Sequence, residues 1–304
     1  MTHEVFSALS QIPLFAGRPL ASLRVEPLDS LTNRNFKLTL GLEQFVLRIA
    51  GAGTESYIDR AAEAHNARLA ASIGIAPEVC YVDPASGLML TRFVPESAPL
   101  SAADLRQPAR LRRAAGLLRR LHESRLPFQG RMELFPKLDQ YLALAGEKGW
   151  PEGLDLMPLR RAAEAARPAL ERSVDAWRPC HIDPVPNNFV GRRGDRSLYL
   201  LDWEYAAMCE PMWDLAAVSI EAELDEAGDH HLLEIYFGSE GSRQTGRFVL
   251  YKSLLNLLAA AWSVVQRADG NASGDFTDFA QRRLSQHRAL ADTAVYRDYV
   301  SKRA

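Results

Sequence analysis

His181-Ile182-Asp183-Pro184-Val185-Pro186-Asn187-Asn188, followed by Leu200-Leu201-Asp202-Trp203-Glu204, is the stretch that decides how this chain folds. It spells His-x-Asp-x4-Asn, then a second Asp fourteen residues past the Asn, at the end of an apolar run. Phosphoryl transfer calls for those residue types in that order. One carboxylate receives the proton of the attacking hydroxyl, and an Asn with a second Asp holds Mg²⁺ against nucleotide phosphates. Asp183 is the candidate base, and Asn188 and Asp202 are hard oxygen donors suited to Mg²⁺. Residues 188–190 and 197–201 read as two short strands joined by a turn containing Gly191 and Gly194. A hairpin of that length returns Asp202 to the side of Asn188. Alone, Asp183 and Asn188 would also serve as turn formers around Pro184 and Pro186. The hairpin and the second Asp make chance the poorer explanation, and the expected activity is that of a kinase. His181 is expected to bond loop backbone. Cys180 beside it forms no catalytic dyad, because strand neighbours point to opposite faces.

Upstream, residues 23–28, 35–40 and 44–49 alternate or run apolar and predict strands. Residues 58–72 predict a helix stopped by Gly74 and Pro77. Residues 78–82 and 88–94 predict two more strands about the turn Asp83-Pro84-Ala85-Ser86-Gly87, and residues 95–99 read as a connector. Arg48 lies inside the mainly apolar Phe45-Val46-Leu47-Arg48-Ile49, where a buried charge demands a partner. Glu63 in the following helix is the candidate, and Arg48 the candidate phosphate-binding cation. A Gly-rich phosphate loop is missing. Leu31-Thr32-Asn33-Arg34-Asn35 stands in its place with backbone N–H groups and short polar side chains; an ordinary hairpin is an equal reading.

Downstream the pattern turns helical. Ser101 with Asp104 makes an N-cap arrangement, and Leu111, Ala114, Ala115, Leu118, Leu121 and His122 share one helix face. Further helices are expected at about 212–224, 230–237, 243–267 and 276–293, with 301–304 a frayed end. Asp214 opens one of them, as a local stabiliser that is also placed to bond the catalytic loop's backbone. Trp262 and Gln266 lie one turn apart, with Trp262 either a core indole or a ring face for a ligand cation. The composition divides the chain into a strand-rich lobe, residues 1–95, and a helical lobe, residues 96–304, able to hold a nucleotide between them.

The totals limit the alternatives. Across 304 residues, 36 Lys and Arg against 38 Asp and Glu leave no pull toward nucleic acid or anionic membrane. Arg106, Arg110, Arg112, Arg113, Arg119 and Arg120 fit a solvated helix face. Cys80, Cys180 and Cys209 are odd in number and scattered, which favours reduced thiols and a cytoplasmic location. No apolar run is expected to span a bilayer, and no leader pattern opens the chain.

Several stretches resemble, in order, the choline/ethanolamine kinase family within the aminoglycoside-phosphotransferase-like group. Leu31 to Lys37 is similar to its nucleotide loop, and Val46-Leu47-Arg48-Ile49 to the strand whose arginine stands where protein kinases carry lysine. Glu63 matches the helix glutamate, and Arg92-Phe93-Val94-Pro95-Glu96-Ser97 the segment linking the lobes. His181 to Phe189 matches the catalytic loop, Leu201 to Ala206 the metal motif, and Trp262 to Gln266 with Asp278 to Gln281 the helices closing the choline pocket. The resemblance implies an α+β, protein-kinase-like two-lobed fold: a small antiparallel-sheet lobe followed by a larger, mainly helical one. It implies ATP and Mg²⁺ as cofactors and a cationic amino alcohol as acceptor, choline first and ethanolamine next. The nucleotide would lie on Thr32, Asn33, Asn35, Arg48, Glu63, Arg92 and Phe93, with Asp183 the base and Asn188 and Asp202 the metal ligands. Glu204, Glu221, Trp262, Gln266 and Phe279 would bind the acceptor. Ala259 replaces a second tryptophan typical of the family, and acidic and aliphatic residues follow Glu221 where aromatics are usual. Phe279, with Tyr236 or Tyr251, is the substitute source of rings. An aminoglycoside or thiamine kinase, or an idle nucleotide-binding protein on the same fold, are the alternatives. A phosphohydrolase using His181 and Asp183 as metal ligands lacks a third ligand at suitable spacing.

Overall fold

The structure, a computed structural model, describes residues 3–28, 33–51, 58–150, 156–171, 176–192, 197–271 and 274–302. The chain gathers into two compact units. The first takes Met1–Leu100, Leu126–Gly130 and Asn187–Ala207. Its antiparallel sheet comprises β1 (Arg24–Leu28), β2 (Arg34–Leu40), β3 (Glu43–Ile49), β4 (Val79–Asp83) and β5 (Leu88–Arg92), in the order β1-β2-β3-β5-β4. The strand period of two places Phe45 and Leu47 of β3 on one face, both fully buried with Leu38 and Leu90. That face is covered by α1 (His3–Ser10) and the turns after it. No alternation marks α1 in the sequence, yet Val5, Ala8, Leu9 and Ile12 repeat at helical spacing and all are buried. α2 (Arg60–Ser72) begins where the Asp59 side chain accepts the Ala61 and Ala62 amides, and Gly74 follows it at φ +68°.

The stretch expected as a connector, residues 95–99, contains a strand, β6 (Ser97–Pro99). It pairs antiparallel with β8 (Phe189–Arg192), which pairs in turn with β9 (Leu198–Leu200). A Ser-Ala-Pro edge strand has no apolar signature of its own; its partner lies some ninety residues on. That pairing draws the hairpin into the first unit. The division is therefore not a single cut at residue 95.

The second unit takes Ser101–Arg125, Arg131–Pro186 and Met208–Ala304. α3 (Ala102–Leu105) opens on a complete Ser101/Asp104 capping box. α4 (Pro108–Glu123) buries Leu111, Ala114, Ala115, Leu118, Leu121 and His122, while Arg112, Arg113, Arg119 and Arg120 are exposed. α5 (Leu134–Lys148) and α6 (Leu156–Glu171) are additions to the expected elements. Pro168 inside α6 weakens its signal in the sequence. β7 (Arg178–Cys180) and β10 (Ala207–Cys209) form a two-stranded ribbon. The helices that follow are α7 (Pro211–Glu221), α8 (Glu226–Phe237), α9 (Thr245–Ala268), α10 (Phe276–Ala291) and α11 (Ala294–Ser301). Of the end expected to fray, Ser301 closes α11, which Thr293 caps by accepting the Tyr296 amide at 3.2 Å, and residues 303–304 lie outside the described residues.

α9 is the centre of this unit, packed by α5, α7 and α10. The stretch Glu226–Ala268 does hold a window long and apolar enough to cross a membrane by length and composition, contrary to expectation. That window is 83% buried inside the protein, the position of a core helix that is apolar because neighbours surround it.

Candidate active site

In the first unit, the sheet register sets Asn35 opposite Arg48. Arg48 is buried and meets Glu63 as a fork: Nη1 donates to Oε1, and Nη2 to Oε2 at 2.9 Å. Nη2 also donates to the Gly87 carbonyl at 3.3 Å. Gly87 sits at φ +69°, where a Cβ would come within 2.9 Å of the Ala50 Cβ and 3.2 Å of Arg60 Nε. Only glycine serves there. The partner required by Arg48's burial is thus Glu63. Burial pushes the Glu63 carboxyl up, but hydrogen bonds and charge from Arg48 and Arg60 outweigh it and hold the group below its ordinary value.

Arg60 is the functional-looking residue that sequence reasoning missed. Its Nη1 donates to Glu63 Oε2 at 2.8 Å and to Glu204 Oε2 at 3.4 Å. A signal existed: a cation directly after the Asp59 cap opposes the helix dipole, so it needs a tertiary partner. Glu63, Asp202 and Glu204 each offer a carboxylate oxygen, all within 4.8 Å of one another. Asn33 Nδ2 donates to Glu204 at 3.3 Å, and its Oδ1 accepts the Gly51 amide at 3.4 Å. Burial first, then the charge of Glu63, raises the Glu204 carboxyl against the pull of Asn33 and the two arginines.

The strand ends of the hairpin meet as expected, though Gly191 lies within β8 and Gly194 lies outside the described residues. The Leu201 amide donates to the Asn188 carbonyl at 2.8 Å, so Asn188 and Asp202 stand at the same end of the β8–β9 ladder. Asp202 takes φ +63°, a conformation Asp tolerates better than most residues. Behind it the Trp203 indole donates to the Leu200 carbonyl at 3.1 Å and meets Phe128 edge-on. Asn66, fully buried and also missed, donates to the Ala206 and Gln129 carbonyls at 2.7 and 3.0 Å and accepts the Gln129 amide. Two hard oxygen donors on one hairpin, beside further carboxylates, fit a Mg²⁺ ion. Thr32 lies outside the described residues. Arg92 pairs with Glu43 and Glu78 at 3.2 and 3.3 Å, and Phe93 receives the Lys37 ammonium 4.3 Å from its ring centroid. Arg92 stands opposite Phe45, at the other end of the pair of strands from Arg48.

In the second unit, Asp183 is half-buried in the loop after β7. Its neighbour Ile182 takes φ +74°. A β-branched residue in that region is strained and persists only where its surroundings over-determine it. Asp214, fully buried in the first turn of α7, supplies the restraint: Oδ2 accepts the His181 amide and Oδ1 the Ile182 amide, each at 2.8 Å. The Trp213 indole donates to the Ile182 carbonyl at 2.9 Å. The expected bond from Asp214 to this loop's backbone is present, and it falls on the two residues before Asp183. His122 Nε2 lies 3.0 Å from Asp214 Oδ2, and His122 Nδ1 lies 2.7 Å from the Tyr236 hydroxyl. His122, Cys180 and Asp214 have metal-ligand spacing. Asp214 is nevertheless committed to N–H donors, and burial pushes the Cys180 thiol well up and away from the thiolate a metal would need.

Of the acceptor-site candidates, Trp262 meets Phe276 and Phe279 edge-on, at 5.6 and 6.2 Å between centroids. Glu221 pairs with the buried Arg283, whose guanidinium lies 4.8 Å from the Phe279 ring centroid and donates to Asn256 Oδ1 at 3.3 Å. Gln266 accepts from Asn271 Nδ2 at 2.9 Å. Tyr236 and Tyr251 are not spare rings, since Tyr236 serves His122 and the buried Tyr251 donates to Glu210. Asn33, Arg48, Glu63, Asn188, Asp202 and Glu204 therefore belong to the first unit, and Asp183, Glu221, Trp262, Gln266 and Phe279 to the second. Glu204, expected beside the acceptor, has Arg60 and Asn33 as its partners.

Residues 24–251 match the Phosphotransferase enzyme family. This chain belongs to that family. The phosphotransferase is 30% identical to Protein LicA of Haemophilus influenzae over 290 residues, 93% of this chain and 81% of LicA. A choline/ethanolamine kinase family protein from Mesorhizobium loti is 34% identical, with a TM-score of 0.84 over 98% of this chain and 97% of that one. The choline kinase LicA from Streptococcus pneumoniae is 25% identical, with a TM-score of 0.81 over 95% and 100% of the two chains. The fold is kinase-like, with an N-terminal antiparallel sheet and a mostly helical C-terminal part. The chain is a choline-kinase-like small-molecule phosphotransferase acting on an alcohol.

Proposed function

We propose that this phosphotransferase moves the γ-phosphoryl group of ATP, with Mg²⁺, onto the hydroxyl of a cationic amino alcohol, choline before ethanolamine. The observation that carries this is the Arg48–Glu63 fork with the Asp202 carboxylate within 4.8 Å of that of Glu63. A guanidinium aimed by a buried carboxylate is a prepared contact for phosphate oxygens. Asp202 and Asn188 would hold Mg²⁺, which when bound neutralises charge on the phosphoryl oxygens. Asp183 accepts the hydroxyl proton and orients the oxygen for in-line attack. On the acceptor side, the rings of Trp262 and Phe276 offer what a quaternary ammonium requires, as it cannot donate hydrogen bonds. The names of the M. loti and S. pneumoniae relatives support that choice.

Arg283 favours ethanolamine as a second reading. It already occupies the Phe279 face and the Glu221 carboxylate, which suits a smaller ammonium able to donate hydrogen bonds. A cytoplasmic location is part of the proposal, supported by three free cysteines. Acceptor-dependent ADP formation from Mg²⁺-ATP tests it, with choline, ethanolamine, thiamine and aminoglycosides as the panel and Asp183→Asn as the blank. Turnover of choline or ethanolamine above the others is the expected result. Turnover confined to thiamine or an aminoglycoside would overturn the acceptor, and nucleotide-dependent stabilisation without any turnover would identify an idle binding protein. Trp262→Ala is expected to raise KM for the cationic acceptor about 3- to 30-fold, the range of a cation–π contact, and to leave KM for ATP unchanged. Equal rises in both would return Trp262 to a purely packing role.

A further inference from the structure

The strained loop before Asp183 is held by a chain of hydrogen bonds that ends on Tyr236, a residue of α8 far from it in sequence. Asp214 grips the His181 and Ile182 amides with both oxygens, and His122 lies on the far side of Asp214. Histidine meets that carboxylate only with a proton on Nε2. With its proton on Nε2 it donates to Asp214; with its proton on Nδ1 alone it would turn a lone pair toward a carboxylate already facing it. The partner of the other nitrogen decides between the two forms. That partner is the Tyr236 hydroxyl, 2.7 Å from His122 Nδ1, with the two rings tilted by 60° at 5.7 Å. With Nε2–H turned to the Asp214 carboxylate, which can only accept, Nδ1 of the neutral ring is the acceptor and the Tyr236 hydroxyl the donor; burial, reinforced by Cys180 and Asp214, raises the Tyr236 phenol above its ordinary value.

We propose that Tyr236 is a positioning residue for catalysis: by donating to His122 Nδ1 it fixes the Nε2–H tautomer, which holds Asp214 on the His181 and Ile182 amides and keeps Asp183 aimed. The inference rests on the phosphotransferase reading of Asp183. Its geometry lies wholly within the second unit. Tyr236 touches no reacting atom and acts through His122.

The test is Tyr236→Phe in the full-length protein. Removing one hydroxyl leaves the ring's edge-on contact with Phe237 in place. The expected result is a fall in kcat of about 5- to 20-fold with both KM values within twofold of wild type. Ring ¹⁵N spectra of His122 should lose the pattern of a protonated Nε2 with an unprotonated, hydrogen-bonded Nδ1. Hydrogen exchange at the His181 and Ile182 amides should quicken about tenfold, while amides in the middle of α9 keep their rates. Wild-type kcat, or acceleration shared equally by α9, would overturn the proposal and leave Tyr236 a packing residue. If the wild-type protein phosphorylates no acceptor, the phosphotransferase reading fails by itself. The ¹⁵N pattern and the local exchange then decide alone: unchanged, they refute the Tyr236 lock.

Discussion

Asp183→Asn is expected to lower kcat by about 10²- to 10⁴-fold, the range for loss of a general base. The side chains are nearly isosteric, so the oxygen that orients the acceptor hydroxyl survives while proton acceptance is lost. The fold should be indifferent. Asp183 is half-buried, and the loop's restraint comes from elsewhere: its own carbonyl accepts the Val185 amide at 2.9 Å, and Asp214 and Trp213 hold the residues before it. Thermal melting of the variant should stay within about 2 °C of wild type, as for a near-isosteric change at a half-buried position. KM for ATP should hardly move, because Arg48, Glu63, Asn188 and Asp202 are untouched. A variant that keeps wild-type kcat would remove Asp183 from the chemistry. One that melts far lower would show that the carboxylate is structural.

The comparison with Asp214 shows why the two aspartates differ in legibility. Asp183 announces itself by spacing, since a base, an Asn and a second Asp must recur in order along a loop and a hairpin. The β8–β9 hairpin followed from short-range pattern alone, and so did the Arg48–Glu63 pair, because a charge inside an apolar strand has to be matched. Asp214 showed as a helix-start carboxylate placed to bond that loop's backbone, with the amides it grips left unspecified. Its partners are backbone amides some thirty residues earlier, and backbone amides carry no residue identity for a sequence to display. The same limit hid β6, whose Ser-Ala-Pro has no period and takes its order from β8. It also hid Asn66, which is recognisable only once the Gln129 and Ala206 carbonyls stand beside it.

Trp262 and Glu221 illustrate a different limit. Their types fit a cation site, but nothing in the sequence shows that Arg283 lies against both Glu221 and Phe279. A pattern can nominate ligand groups without revealing an internal cation that competes for them. Arg60 is the converse case, a cation whose awkward place at a helix start was itself the evidence of a distant partner. Charges that contradict their local surroundings are therefore the most informative residues in this chain.

Glu63→Ala follows from that principle and is expected to destabilise the protein by about 3–5 kcal/mol, the penalty for breaking a buried ion pair. The loss is severe because Glu63 is shared. Its Oε1 and Oε2 face Arg48, and Oε2 also accepts from Arg60 at 2.8 Å, so removing one carboxylate takes the shared partner from two buried guanidiniums. Asp202 and Glu204 lie close enough to soften the effect, since both add favourable charge at Arg48. They cannot restore the fork, because Glu204 is already engaged by Asn33 and Arg60. Melting should fall by roughly 5–15 °C. The sign of the pH dependence is fixed by the direction of the Glu63 shift, downward in the fold from its ordinary value of 4.5. Its contribution is fully present above that ordinary value and disappears as pH falls through the lower folded value. Wild type and variant should thus differ most at neutral pH and converge in acid. The freed Arg48 should also lose its aim, so KM for ATP should rise as well. Denaturant unfolding of both proteins across pH 3–7 measures the difference, and a constant gap over that range would show that Glu63 stabilises by packing, with its charge irrelevant.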